Sequence, residues 1–305
     1  MTKTCFEWTV TLFVGFTLLV GVANAWGGFD LLDDGSGTTQ VVAANGTVYA
    51  LKDNGNIWAR SRTYGRWQMI DDGTGTQALD AGGGYLYALK NNGNIWRYGY
   101  ARWQMIDDGT GTKQLCAAPG ALYVLKNNGN IWKHNGSRWD QKDDGINSQM
   151  IALDRQENLY VLKNNGNIWK YRSYGRWDLM DDGTGASQIA AARGMLYVLK
   201  NNGNIWRWYS RWGMIDDGTG TKTVVADDDL FYALKNTGKI WCYANERWTM
   251  VDDGTGTRAI EADDNQLYVL KNNGNIFGAS AYDILRNGPG APDLRIGNFD
   301  RLHGN

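Results

Sequence analysis

The chain predicts an all-β fold: a seven-bladed β-propeller with four-stranded antiparallel blades, its ring closed by the N-terminal strand. Three observations predict it. The phrase LYVLKNNGNIWKY at 159–171 recurs along the chain, with its Tyr at Tyr49, Tyr87, Tyr123, Tyr160, Tyr197, Tyr232 and Tyr268, at gaps of 38, 36, 37, 37, 35 and 36 residues. A second phrase, Asp-Asp-Gly, keeps the same rhythm from Asp33, Asp71, Asp107, Asp143, Asp181, Asp216 and Asp252. Within one unit, 113–144, the runs KQLCA, ALYVLK, NIWKH and SRWDQK have strand length and composition and no helical period. Seven copies at one period mean a repeat architecture, and four strands per copy describe a propeller blade.

Taken in chain order, residues 1–25 predict a secretory signal peptide. Lys3 precedes an apolar run, and Ala23-Asn24-Ala25 supplies a small-x-small cleavage pattern. The run is too short and too Gly-interrupted for a membrane anchor, so no membrane span is expected after cleavage. Secretion or periplasmic export follows as the expected localisation. Cys116 and Cys242 then remain, at different repeat positions, and two free thiols are expected rather than a disulfide framework.

The propeller domain is assigned to 26–280. Its end strands test the count. Third-strand Trp stands at Trp58, Trp96, Trp132, Trp169, Trp206 and Trp241, and fourth-strand Trp at Trp67, Trp103, Trp139, Trp177, Trp212 and Trp248. The seventh third strand has Phe277 instead, and its fourth strand is missing from the C-terminal side. Phe29-Asp30-Leu31-Leu32, just before Asp33-Asp34-Gly35, supplies it from the N-terminus. Residues 281–305 lie outside the repeat and read as a tail.

Between the second and third strands, Asn-Gly signals a tight hairpin. This turn and the Asp-Asp-Gly turn share one face of the disc, which is nearly uniform around the ring. The opposite face is variable, with turns reading AGGG, APG, DRQEN, ARG, DDD and DDNQ.

The formal charge of −1 gives no general attraction to nucleic acid or an anionic membrane. The repeated Trp and Tyr have an obvious task in filling the wedge between blades, and exposed rings could instead stack sugars. One Asp of each pair satisfies turn chemistry. The second is left for either a ligand or nothing, since 14 Asp face only seven strand-two Lys. Asp-Asp-Gly-Thr-Gly lacks the alternating oxygen ligands of a calcium loop, and His134 and His303 are isolated, so neither metal nor cofactor is expected. Every candidate acid recurs in ring symmetry, whereas catalysis needs a unique constellation, so no enzyme is expected.

The unit W-x-x-(M/I)-D-D-G-T-G-T-x-x-x-(L/I)-x-A-x-x-x-x-L-Y-(V/A)-L-K-x-N-G-N-I-W resembles the tectonin repeat over residues 29–280. That resemblance implies a β-propeller and a secreted, multivalent lectin binding glycans or lipopolysaccharide between blades. The residues assigned to such sites are Asp34, Asp72, Asp108, Asp182, Asp217 and Asp253 as hydroxyl acceptors. Lys52, Lys90, Lys126, Lys163, Lys200 and Lys271 are assigned as donors, and Trp58, Trp96, Trp132, Trp169 and Trp206 as stacking walls. Blade four, at Gly145-Ile146-Asn147-Ser148, and blade six, at Lys235-Asn236-Thr237-Gly238-Lys239, depart from the consensus. The competing reading is a propeller scaffold that holds a protein partner on its variable face.

Overall fold

Each blade grows from a central apolar hairpin. The second strand carries an unbroken apolar run such as Leu-Tyr-Val-Leu, because both of its faces are covered by neighbouring blades. In blade 1, Val48, Tyr49, Ala50 and Leu51 are all buried. The hairpin loop that follows spans three residues, Asp53-Asn54-Gly55. Lys52 N–H donates to Asn56 C=O, and Gly55 N–H donates to Lys52 C=O. Gly55 alone takes positive φ, at 89°. The sequence suggests a two-residue turn with positive φ at both Asn and Gly. The third loop residue makes it a type I turn closed by a left-handed Gly instead.

The computed structural model describes residues 28–287, apart from 74, 110, 146, 173, 184, 219 and 255. Within them stand seven four-stranded antiparallel sheets. Blade 1 comprises Thr38–Ala44, Thr47–Lys52, Ile57–Ser61 and Trp67–Asp71, and blades 2 to 6 repeat the plan. Blade 7 comprises Thr257–Asp263, Gln266–Lys271 and Ile276–Ser280, with Asp30–Asp33 as its outer strand. Leu31 pairs with Phe277, so the N-terminal strand closes the ring as the repeat count requires. The expected signal peptide lies outside the described residues.

Seven apolar clusters lie between blades rather than within them. One joins Val42, Tyr49, Leu51 and Ile57 of blade 1 to Leu79, Leu86 and Ala88 of blade 2. The seven strand-two Tyr rings are all buried there, filling the wedge. Each full burial of a side chain of this size contributes about 1.5–3 kcal/mol.

The segment after the repeat, for which the sequence leaves packing on the last blade and disorder both open, starts with a packed helix. Ala281–Asn287 form a helix, with Ala281 and Ile284 buried in the cluster between blades 6 and 7. Ser280 Oγ accepts from Asp283 N–H at 3.1 Å, an N-terminal cap written as Ser-x-x-Asp in the sequence. Residues 288–305 lie outside the described residues.

Candidate functional site

The uniform face is built from an interlocked set of turns. Asp71 ends the outer strand of blade 1. Its Oδ1 accepts from Gly73 N–H at 2.9 Å, and its Oδ2 accepts from Lys90 Nζ of blade 2 at 2.7 Å. The same Lys donates to Thr76 Oγ1 at 2.7 Å. The Asp–Lys bridge recurs seven times, from Asp33–Lys52 across the ring closure to Asp252–Lys271, with N–O distances of 2.6 to 2.8 Å, while the hydroxyl is Ser148 in blade 4 and is replaced by Ala186 in blade 5. The first Asp therefore both holds its turn and bridges to the next blade. Fourth-strand Trp adds a second bridge: Trp103 Nε1 donates to Ile70 C=O of the preceding blade at 2.9 Å, and Trp212 Nε1 to Met180 C=O at 2.8 Å.

These contacts decide what the predicted site residues do. Lys52, Lys90, Lys126, Lys163, Lys200 and Lys271 each hold an inter-blade ion pair, and their side chains are largely buried. Asp34, Asp72, Asp108, Asp182 and Asp217 are exposed, one residue beyond the bridging carboxylate. Asp253 is half-buried, with Oδ1 lacking a hydrogen-bond partner. Trp58, Trp96, Trp132, Trp169 and Trp206 are half-buried at equivalent positions.

Two matching hollows open on this face. One, of about 530 Å³, is lined by Asp181, Lys200, Asn201, Asn202, Trp206 and Trp212. The other, of about 510 Å³, is lined by Asp71, Lys90, Asn91, Asn92, Trp96 and Trp103. The predicted Lys and third-strand Trp meet in each. The lining carboxylate is the first Asp of the pair, Asp71 or Asp181, and not the exposed Asp72 or Asp182 assigned from the sequence.

The variable face has two zones. Around the axis, a smaller hollow of about 220 Å³ is lined by all seven blades. Arg155 of blade 4 reaches across it to Asp227 and Asp228 of blade 6, at 3.0 and 2.9 Å, and to Asp263 of blade 7 at 3.3 Å. Burial pushes Asp80 up to about 7 and Asp227 up to about 6, and Glu261 well above the usual carboxylate range. Cys242 is buried and Cys116 half-buried, both as free thiols. Among the described residues no group of three or more His, Cys, Asp or Glu is arranged to hold a metal ion.

At the outer rim of the same face, the turns between third and fourth strands present Tyr. Tyr64, Tyr100, Tyr174 and Tyr209 are 82, 88, 93 and 71% exposed. Tyr100 and Tyr174 have φ of 52° and 57°, and Ala101 beside Tyr100 has 58°. Bulky residues rarely occupy this region, which Gly or Asn fills at lower cost. Each Tyr lies within two residues of an exposed Arg that opens the outer strand: Arg66, Arg102, Arg176 and Arg211. The rim had escaped the sequence reading because its turns differ in length. The available signal was an aromatic residue in a turn, as in RTYGRW, GYARW, SYGRW and WYSRW.

No family model and no curated protein matches the chain. Among solved structures it is similar to YCF48 bound to a D1 peptide, with a TM-score of 0.65 at 12% identity, covering 84% of this chain and 98% of that one. It is similar to yeast RCC1 (Prp20) bound to Kap60, with a TM-score of 0.63 at 10% identity, covering 82% of each chain. It is also similar to PorZ of Porphyromonas gingivalis, with a TM-score of 0.64 at 13% identity, over 82% of this chain and only 37% of that one. At such identities the likeness is one of fold.

Proposed function

We propose that this chain is a non-catalytic, exported propeller that serves as a protein-interaction scaffold through its variable face. The observation that carries the reading is the set of exposed Tyr at the rim. Tyr100 and Tyr174 occupy a strained backbone region while almost fully exposed, with Tyr100 in edge contact with Tyr85 at 6.2 Å between ring centres, and such strain at a solvent-exposed aromatic is a mark of function. Tyr and Arg are the side chains that most often anchor protein interfaces. The similar YCF48 and RCC1 were each solved with a protein or peptide partner, which favours the same use of the fold here.

A photo-crosslinking residue placed at Tyr100 or Tyr174, compared with one at Asn92 or Asn202 on the uniform face, tests the reading. Discrete protein adducts from the variable face, absent from the uniform face, are expected. Adducts from neither face would remove the scaffold reading.

A second reading rests on the matched hollows of blades 2 and 5. Two indole walls with Asn and Lys at the edge suit a hydroxylated ligand such as a sugar, and equal sites on a rigid disc would add avidity. The tectonin resemblance points the same way. Glycan-array binding that is lost in Trp96→Ala/Trp206→Ala would establish it.

A further inference from the structure

We infer that the partner held at the rim is an acidic stretch of polypeptide, its carboxylates received by Arg176, Arg211 and Arg247 on blades 4 to 6. The inference rests on the protein-scaffold reading and adds the chemistry of the partner. These three Arg are exposed, open the outer strands of consecutive blades, and have no ion pair among the described residues. Arg66 and Arg102 do the same on blades 1 and 2, but blade 3 interrupts the arc, because Arg138 is paired with Asp140 at 3.3 Å. A guanidinium presents a planar fork that matches a carboxylate in two hydrogen bonds. Tyr174 and Tyr209 stand beside the first two of these Arg and supply rigid apolar area.

The rest of the face directs such a partner to the rim. Near the axis stand Asp154, Asp227, Asp228, Asp229, Asp263 and Asp264, and the two Arg among them, Arg155 and Arg193, are already engaged by Asp227, Asp228, Asp263 and Asp229. An acidic chain crossing the axis would meet more carboxylates than the neighbouring Arg can balance. Following the rim from blade 4 to blade 6, it meets an excess of cations, since the acids there, Asp178 and Glu246, are each held by a further Arg, Arg172 and Arg207. Nucleic acid fits less well. It carries a phosphate about every 3.4 Å whether or not a cation faces it, whereas a polypeptide can place acidic residues at intervals that match cations coming once per blade.

The test uses the folded chain with a labelled glutamate-rich peptide, a lysine-rich peptide of equal length and a single-stranded DNA of equal charge. Binding of the glutamate-rich peptide alone is expected, weakening about tenfold from low to physiological salt as exposed charges are screened. The Arg176→Ser/Arg211→Ser/Arg247→Ser variant should lose about tenfold or more in affinity while keeping the wild-type melting curve. Failure to bind the glutamate-rich peptide, or binding that survives the triple variant, overturns the inference. DNA bound equally well through the same Arg also overturns it, in favour of a general polyanion site. Crosslinking at Tyr174 run in parallel separates the two levels. Adducts that persist in the triple variant keep the scaffold and sink the acidic partner, adducts and peptide binding lost together in that variant are the expected result, and a wild-type chain that gives neither adducts nor peptide binding sinks both.

Discussion

Asp107 is held on two sides, by the Gly109 amide within its turn and by Lys126 of the next blade, whereas Asp108 reaches into solvent. The two members of an identical pair therefore differ in what they contribute. Lys126→Met leaves a largely buried carboxylate without its counter-charge and is expected to cost about 2 kcal/mol, measured by chemical denaturation. Asp108→Ala removes no contact and is expected to change stability by less than about 0.5 kcal/mol. Comparable losses in both variants would contradict this division. The relation was open to reading in the sequence, since Lys follows the first Asp by 19 residues in six blades and by 20 in blade 4. The count of 14 Asp against seven Lys does not reveal it, because each pair joins two blades and only the closed ring sets a Lys beside the Asp of the blade before it.

The channel wall gives the residue scale a second consequence. Asp80 lies beside the axis with Oδ2 accepting from Ala117 N–H at 2.7 Å, near Glu261 and Cys116. Burial raises its pKa to about 7, above the ordinary Asp value near 4. Between those values the folded chain keeps a proton that the unfolded chain has released. That contribution to stability is complete below about pH 4 and is lost as pH rises through about 7. Asp227 and Glu261 act in the same direction. Asp80→Asn keeps an oxygen for the Ala117 amide, gives up the acceptor of the Ala81 amide and removes the titration. Its melting temperature should fall less than that of the wild type between pH 4 and pH 8; an unchanged pH dependence would show that Asp80 ionises freely.

At the level of elements, strand identity was legible because each strand's pattern follows from its place in the wedge. The second strand is buried on both sides and reads as continuous apolar. The fourth strand is outermost, and Met69, Met105 and Met214 remain nearly half exposed on it. The rim turns were legible only as an aromatic residue in a turn, because no backbone rule requires Tyr at a left-handed position; the three-dimensional arrangement shows how exposed those rings are. The closing strand is the element most easily tested. Removing residues 26–33 uncovers the Ile276–Ser280 edge and breaks the Asp33–Lys52 bridge and the Leu32 C=O acceptor of Trp67. A lower melting temperature and concentration-dependent self-association, seen by light scattering, are expected from such an open edge. A truncated chain that stayed monomeric with wild-type melting would remove closure from the account of stability.

Across the whole molecule, the repeat sets the ring and the departures from it set the difference in composition between the two faces. The uniform face repeats because the same Asp, Lys and Trp must bridge every junction. The variable face is released from that demand, so Tyr, Arg and the acidic turns can be distributed unevenly around it. A periodic pattern could announce the first of these faces. The second carries no period, and its organisation emerges only when blades distant in sequence, such as those of Arg155 and Asp263, are brought together.

Pairing Asp30–Asp33 with Ile276–Ser280 also imposes an order in time. A ribosome delivers the closing strand first and its partner last, so six complete blades are made while the seventh still lacks an edge. Until then the earliest part of the chain has no native partner, however stable the blades beside it. The wait is set by the speed of synthesis rather than by local energetics, and any factor that shelters an unpaired strand would be needed at the two ends of the chain, not along its middle.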